Sequence, residues 1–403
     1  MNDASIAEED VILFRYNMNN FIFKNPTKLI FGKGQIAEIS KEIPFDSKIM
    51  VTYGGGSIFN NGIYDQVMTA LEGRHYIEFG GIESNPDYDT LMKAVRIAND
   101  NGANYLLAVG GGSVIDGTKF IAAAMKYKGD CPWDFMVDQK EVDKLELVPF
   151  GVVLTLPATA SEMNEGAVIS RREKKEKLAF HPANNFPRFS VLDPQVCFSL
   201  PKRQISNGIV DTFCHVLEQY LTYPTNSLLQ ERFSESILIT LKDIGPKLYE
   251  NSNDYDLCAN FMICATMGLN GFTSMGVPQD WATHMIGHEL TAQFGLDHAV
   301  TLALVGPSLM RVMKEEKREM IMQYGERVWN ICEGSEDERV DAAIDATQYF
   351  YERVGIKTHL RDYDIGSEYF DEIANRFNTR GWCLGENKTV NCAKVIEILQ
   401  GCL

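Results

Sequence analysis

Polar and apolar residues follow two different rhythms along this chain. In the first half, short apolar runs end at glycine, and each gives way to a stretch with helical spacing. Lys48–Tyr53 (KIMVTY) stops at Gly54-Gly55-Gly56, after which 64–71 reads as helix. His75–Phe79 (HYIEF) reads as a strand before a Gly-Gly turn, and 87–99 places Leu91, Ala94, Val95 and Ala98 on one helical face. A strand at 105–109 (YLLAV) closes on Gly110-Gly111-Gly112 and leads into a helix over 113–125. A further strand at 151–156 (GVVLTL) ends at Pro157. Strand, glycine turn and helix, repeated over residues 20–190, predict a parallel sheet wrapped by helices, of the nucleotide-binding kind.

After Leu192-Asp193-Pro194 the period changes. Helical spacing dominates at 203–221, 226–249, 254–271, 280–293, 299–313 and 340–354, with loops near 276–278 and 295–297. The expected fold class is therefore an α/β dinucleotide-binding domain at 1–195 followed by an all-α domain at 196–403. No fixed-period repeat or low-complexity tract interrupts either half.

Composition narrows the functional classes. The 403 residues, 45% hydrophobic and 23% charged, suit a soluble enzyme with sizeable cores. A net charge of −17 disfavours nucleic acid as a partner, and means that an anionic cofactor needs a local positive site. Nine cysteines without a C-x-x-C pair argue against a disulfide framework or structural zinc cluster, and for a reducing cytoplasm. The opening MNDASIAEED lacks a secretory pattern and reads as a loose tail over the first ten residues. No run of 18 apolar residues exists, so no membrane span is expected.

Two turns can hold a dinucleotide. Gly110-Gly111-Gly112-Ser113 opens a helix, where glycines admit a pyrophosphate to backbone N–H groups and the helix dipole adds attraction. Ser113 can cap that helix and donate to a phosphate oxygen. Gly54-Gly55-Gly56-Ser57 also follows a strand. NAD sites often set a carboxylate on the ribose 2′-hydroxyl; none lies within 54–57, which favours the 2′-phosphate of NADP. Neither turn is G-x-G-x-x-G, and a lone GGGS is more often a tight structural turn, so the pair carries the argument. The polar segment 155–164 starts at a strand's carboxyl end, where open α/β sheets bind ligands. There Thr155, Thr159, Ser161 and Asn164 can bond a nicotinamide or its ribose, unless Thr159 or Ser161 serves only as a helix cap. Lys177 sits in the basic run RREKKEK, which by itself reads as a solvated strand or hairpin.

The metal chemistry is concentrated in few residues. Of seven histidines, three fall in HMIGHELTAQFGLDH at 284–298, and a fourth, His215, stands four residues after Asp211. Spacing of i, i+4 puts Asp211 and His215 on one helix face, and likewise His284 and His288. His298 follows a glycine bend that can return it to the same point. A carboxylate with imidazoles suits a divalent transition metal, although an Asp–His pair at this spacing is by itself more often a helix ion pair or hydrogen bond. Five candidates compete for four positions, and His288 is either a ligand or a proton carrier beside the ion. His75 and His359 have no such partners in sequence, and His181, before Pro182, is left open.

These residues sit in segments that resemble the iron-containing (group III) alcohol dehydrogenases, and in particular their NADPH-dependent butanol dehydrogenase and aldehyde reductase branch. The segments are FKNPTKLIFGKGQI, YGGGS (53–57), FGGIESNP (79–86), AVGGGSVIDGTKF (108–120), TLPATASEMN (155–164), VLDP (191–194), LPKRQISNGIVDTFCHVLEQY (200–220) and the 284–298 histidine segment. They run in the family's order over nearly the whole chain, with the last twenty or so residues matching least. The resemblance implies a dehydroquinate synthase-like architecture with the active site in a cleft between an α/β and an all-helical domain. It implies metal ligands at Asp211, His215, His284 and His298, with His288 beside them. It implies cofactor contacts at Gly55, Gly56, Ser57, Asn85, Gly112, Ser113, Thr155, Leu156, Thr159, Asn164, Lys177 and Leu200, with Asp116 adjacent. One departure is Ala160, where many relatives carry glycine.

The expected activity is hydride transfer with NADP(H) between small aldehydes and primary alcohols, at Fe²⁺ or else Zn²⁺ or another divalent transition metal. A cytoplasmic homodimer is expected from the family. The alternative is a metal-dependent lyase or synthase of the dehydroquinate synthase type. That chemistry needs Arg and Lys beside the metal, and 203–215 with 280–298 offers only Arg203.

Overall fold

The computed structural model describes residues 17–140 and 142–403; the tail expected over the first ten residues lies outside them. The described residues divide into two compact units, one of 24–208 with 247–270, the other of 17–23, 209–246 and 271–403.

The first unit is built on a six-stranded parallel sheet. Its strands are β1 (Lys28–Phe31), β2 (Lys48–Tyr53), β3 (His75–Phe79), β4 (Tyr105–Gly111), β5 (Phe150–Leu156) and β8 (Phe189–Leu192), in the order β1-β8-β5-β4-β2-β3. A separate antiparallel hairpin pairs β6 (Ala167–Arg171) with β7 (Glu176–Phe180). The central strands are apolar throughout because both faces are covered: six of the seven residues of β4 are buried. The edge strand β3 keeps alternating exposed residues, which blunt further pairing.

Helices α1 (Ile63–Ala70), α2 (Tyr88–Asp100) and α3 (Gly112–Ala124) connect β2 to β3, β3 to β4 and β4 to β5. From β2 the chain moves outward to β3, then crosses to β4 and continues the other way to β5. The order therefore reverses between β2 and β4, and a sheet of this kind binds ligands at the carboxyl ends flanking such a reversal. The two Gly-Gly-Gly-Ser turns occupy those two ends.

The rest is helical: α4 (Lys202–Tyr220), α5 (Leu228–Glu250), α6 (Tyr255–Gly268), α7 (Ala282–Phe294), α8 (His298–Val312), α9 (Lys314–Trp329), α10 (Glu336–Arg353), α11 (Phe370–Thr379) and α12 (Cys392–Gly401). The second unit draws on these, and one of its cores joins Ile286 and Leu290 of α7, Leu304, Val305 and Leu309 of α8, Phe377 of α11 and Ile398 of α12. The expected α/β plus all-α class is what the chain forms. Two helices begin later than their periodicity suggests, because Asn226 (φ +54°) and Trp281 (φ +62°) take left-handed backbone that a helix cannot include. None of the nine cysteines is in a disulfide. Among the described residues no helix is long and apolar enough to cross a membrane.

Candidate active site

In the sheet unit, glycine is required where the turns press against neighbours. A Cβ on Gly112 would stand 2.5 Å from Thr159 Oγ1, so this glycine lets the 110–113 turn lie directly against the 155–164 segment. Gly56 has φ +96°, which turns the chain sharply into Ser57, while a Cβ on Gly55 would meet open space. Thr155 and Leu156 end β5 half-buried. Asn61 Nδ2 donates to Ser199 Oγ at 3.1 Å, bringing the chain just past Ser57 to the residue before Leu200.

Ser113 does not act as the expected cap. The N-cap of α3 is Gly111, which has no side chain, and the Ser113 hydroxyl instead accepts the N–H of Asn85 at 3.3 Å. Lys177, on the hairpin, donates from Nζ to Asn85 Oδ1 at 2.9 Å and is buried, so the basic run contributes an inward cation as well as solvated charge. Asn85, Ser113 and Lys177 thus form one cluster. Gly112, Thr159 and Asn164 belong to a second, since Asn164 Nδ2 donates to Thr159 O at 3.3 Å.

Sequence reasoning missed the residue that holds this second cluster together. Lys119 is fully buried on α3 and donates to Ser161 Oγ (2.9 Å), Asn164 Oδ1 (3.0 Å) and Gly166 O (2.7 Å). Ser161 in turn donates to Asp116 Oδ1 at 2.6 Å, whose other oxygen accepts the Val168 N–H at 2.9 Å. Burial pushes the Lys119 ammonium down to about 8, and the Asp116 carboxylate opposes the fall. The available signal was a lysine three residues after an aspartate, in a helix that is mostly apolar, GSVIDGTKFIAAA. Within the same turn Ala160 takes φ +53°, with Thr159 Oγ1 accepting the Ser161 N–H at 3.2 Å. A left-handed position explains why glycine is the natural occupant there.

In the helical unit, four donors converge. Asp211 and His215 come from α4, His284 from α7, and His298 is the first residue of α8. One ligand atom from each lies within 4.8 Å of the others. His298 Nε2 is 3.6 Å and His215 Nδ1 3.9 Å from Asp211 Oδ1. The His215 and His284 rings stack at 4.6 Å. Gly295, with φ +71°, ends α7 and lets the chain reverse toward His298. His288 is buried one turn beyond His284, outside the four-donor group, its ring 5.2 Å from that of His298. His75 and His359 are not part of the group.

The donors fit a divalent cation. A carboxylate with three imidazoles is the chemistry such an ion takes. His215 Nδ1 is buried with no hydrogen-bond partner among the described residues. Burial pushes the His215 imidazole down to about 4, with Asp211 opposing and His284 adding to the fall, so the ring is neutral at physiological pH as a ligand must be. Glu218, also missed, braces the group: its Oε2 is hydrogen-bonded to His284 Nδ1, and its Oε1 accepts the Thr283 N–H at 2.6 Å. That bond orients the His284 ring with Nε2 toward the other donors. Burial, and then the charge of Asp280, pushes the Glu218 carboxyl well above the usual range. Its position three residues after His215 places it on the same helix face, which is the signal that was overlooked.

Comparisons with known proteins agree with this arrangement. A family profile described as iron-containing alcohol dehydrogenase matches residues 26–194, and one for the C-terminal part of that family matches 205–403. The chain is 51% identical to the NADPH-dependent aldehyde reductase YqhD of Escherichia coli (strain K12), over 93% of this chain and 97% of that protein. It is 41% identical to a probable NADH-dependent butanol dehydrogenase 1 of Bacillus subtilis (strain 168), over 96% and 100%. The crystal structure of E. coli YqhD superposes with a TM-score of 0.94 at 49% identity, covering 96% of this chain and 100% of that one. The structure of NADH-dependent butanol dehydrogenase A from Thermotoga maritima gives 0.91 at 33% identity, covering 96% and 99%.

Two outcomes follow from the geometry. Ala160→Gly removes a left-handed alanine and should raise stability by about 0.5–1 kcal/mol in urea unfolding, after the greater freedom of the unfolded glycine is subtracted; a loss of stability would contradict the strain. Glu218→Gln should weaken metal retention about 10–100-fold, measured by chelator competition, with the helical content unchanged.

Proposed function

The chain belongs to the iron-containing alcohol dehydrogenase family, and from that premise we propose that it interconverts small aldehydes and primary alcohols by hydride transfer with NADP(H), as a broad-range aldehyde reductase. The observation that carries this reading is the convergence of Asp211, His215, His284 and His298 within 4.8 Å. We take these four as the metal ligands. A divalent cation there, Fe²⁺ by family and Zn²⁺ by equal ligand chemistry, supplies Lewis-acid polarisation of the substrate oxygen.

The protein's own part is binding, orientation and proton movement, since hydride chemistry belongs to the coenzyme. The 110–113 turn and the start of α3 present backbone N–H groups to a pyrophosphate. Thr155, Leu156, Thr159 and Asn164 hold the nicotinamide end, with Asn164 oriented by Lys119. Gly55, Gly56 and Ser57 leave space and donors for a ribose 2′-phosphate, and no carboxylate of that turn opposes it. Asn85, Lys177 and Leu200 complete the coenzyme contacts, and the Lys177 ammonium supplies a local positive charge within a chain of net charge −17. His288 moves the proton between solvent and the substrate oxygen from its imidazole.

The lyase alternative is not favoured, because the relatives are reductases and dehydrogenases. The division at residue 195, a homodimeric state and a cytoplasmic location belong to the same proposal; nine cysteines without a disulfide suit a reducing compartment.

The direct test is NADPH consumption with butanal by protein loaded with Fe²⁺, Zn²⁺ or Mn²⁺. No loss of the nicotinamide absorbance with any short aldehyde would sink the reading. Coenzyme choice has its own test. Gly55→Asp places a carboxylate in open space at the first turn, so kcat/KM for NADPH should fall at least tenfold while that for NADH falls less.

A further inference from the structure

Trp281 sits in an unfavourable backbone conformation beside the metal donors. It is the only aromatic among the eight described non-glycine residues with positive φ, at φ +62° and ψ +5°. Asparagine and aspartate take this region through local hydrogen bonds, whereas an indole gains nothing from it. Such a residue persists only where its surroundings hold it, and strain of this kind gathers at functional sites.

The surroundings do hold it. Asp280, immediately before, accepts the Ala282 N–H at 2.9 Å through Oδ1, and its Oδ2 lies 2.8 Å from Lys317 Nζ. Lys317 is buried and donates also to Leu221 O (2.7 Å) and to both carboxylate oxygens of Glu386 (2.9 and 2.8 Å). The Asp280 N–H donates to Glu218 O at 3.0 Å, and Trp281 O accepts the Met285 N–H at 3.0 Å. The indole N–H donates to Gln279 Oε1 at 2.6 Å, which fixes the ring's orientation. The ring lies edge-on to two donor imidazoles, 5.2 Å from His284 and 6.2 Å from His215. Both histidines are buried, whereas Trp281, in ring contact with them, is only half-buried and keeps part of its surface accessible.

We propose that Trp281 is a specificity-determining residue: its indole is the apolar wall against which the hydrocarbon tail of an aldehyde or primary alcohol packs while the substrate oxygen is held at the four donors. The inference rests on the proposed function for the identity of the substrate. The tail has no charge to satisfy, and its recognition comes from removing methylenes from water, worth up to about fourfold in affinity for each one covered. The ion network of Lys317, Asp280 and Glu386 then has a positioning role, since it keeps the wall in place against its backbone preference.

Unreactive carbonyl analogues separate this from catalysis. The affinities of metal-loaded protein for acetamide, propanamide, butanamide and pentanamide, measured by ligand-observed NMR, should rise about two- to fourfold per methylene. Trp281→Gly removes the ring and accepts the backbone, and the series should flatten with metal content unchanged. Trp281→Asn, also suited to left-handed backbone, gives the same reading if the glycine variant folds poorly, and Trp281→Phe should keep most of the slope. In turnover, the preference for butanal over acetaldehyde in kcat/KM should fall with the slope. An unchanged slope in Trp281→Gly, no slope in the wild type, or an equal loss at every chain length accompanied by metal loss would overturn the wall; the last would leave the ring as a shield for the donors. Absence of NADPH consumption with the amide slope present and lost in Trp281→Gly would strike the reductase reading and leave the wall standing.

Discussion

The helical unit depends on bringing one carboxylate and three imidazoles from α4, α7 and α8 to a single point. Each donor is unremarkable on its own helix. Their convergence needs the i, i+4 spacing of Asp211 and His215, the reversal at Gly295 and the bond from Glu218 to His284. Burial makes the demand strict. An imidazole such as His215 is kept neutral by the loss of water, so its lone pair is available without competition from a proton. The same burial would be costly for Glu218 and Asp280 without their own partners, which are backbone N–H groups and Lys317.

The sheet unit meets a parallel problem by different means. Its two proposed coenzyme turns carry no side chains at Gly54–Gly56 and Gly110–Gly112, which would let a ligand approach the backbone closely. Next to the second turn, Lys119 and Asp116 of α3 fix the 161–168 segment through Ser161, Asn164, Gly166 and Val168. A buried ammonium with three acceptors is expensive to break, because removing any partner leaves the others desolvated.

Much of this was legible along the chain. Strands at 48–53 and 75–79 have the ends their apolar runs predict, because glycine or a polar residue stops each run. β8 was not legible: FSVL is four residues long, and its identity as a central strand comes from its pairing with β1 and β5. Helix α9 was missed because KEEKREMIMQYGERVW is dominated by charge. Of the site, the donor spacing was visible, but choosing among five candidates required the family resemblance. Glu218 and Lys119 had local signals that were overlooked, but the roles of these two and of Lys317 rest on distant partners. Those partners lie 66, 42 to 47 and 37 to 96 residues away, and no local pattern encodes such contacts.

All four proposed ligands fall between 211 and 298, within a single compact unit. The coenzyme candidates fall entirely in the other. An ion that binds the folded state alone stabilises it by mass action, by about 4 kcal/mol at a thousandfold excess over its dissociation constant. At the proposed ligands that gain would enter through the helical unit, whereas the gain from a dinucleotide at the proposed contacts would enter through the sheet. Under the proposed function, thermal stability would then draw on two separate supplies, a divalent metal and a dinucleotide.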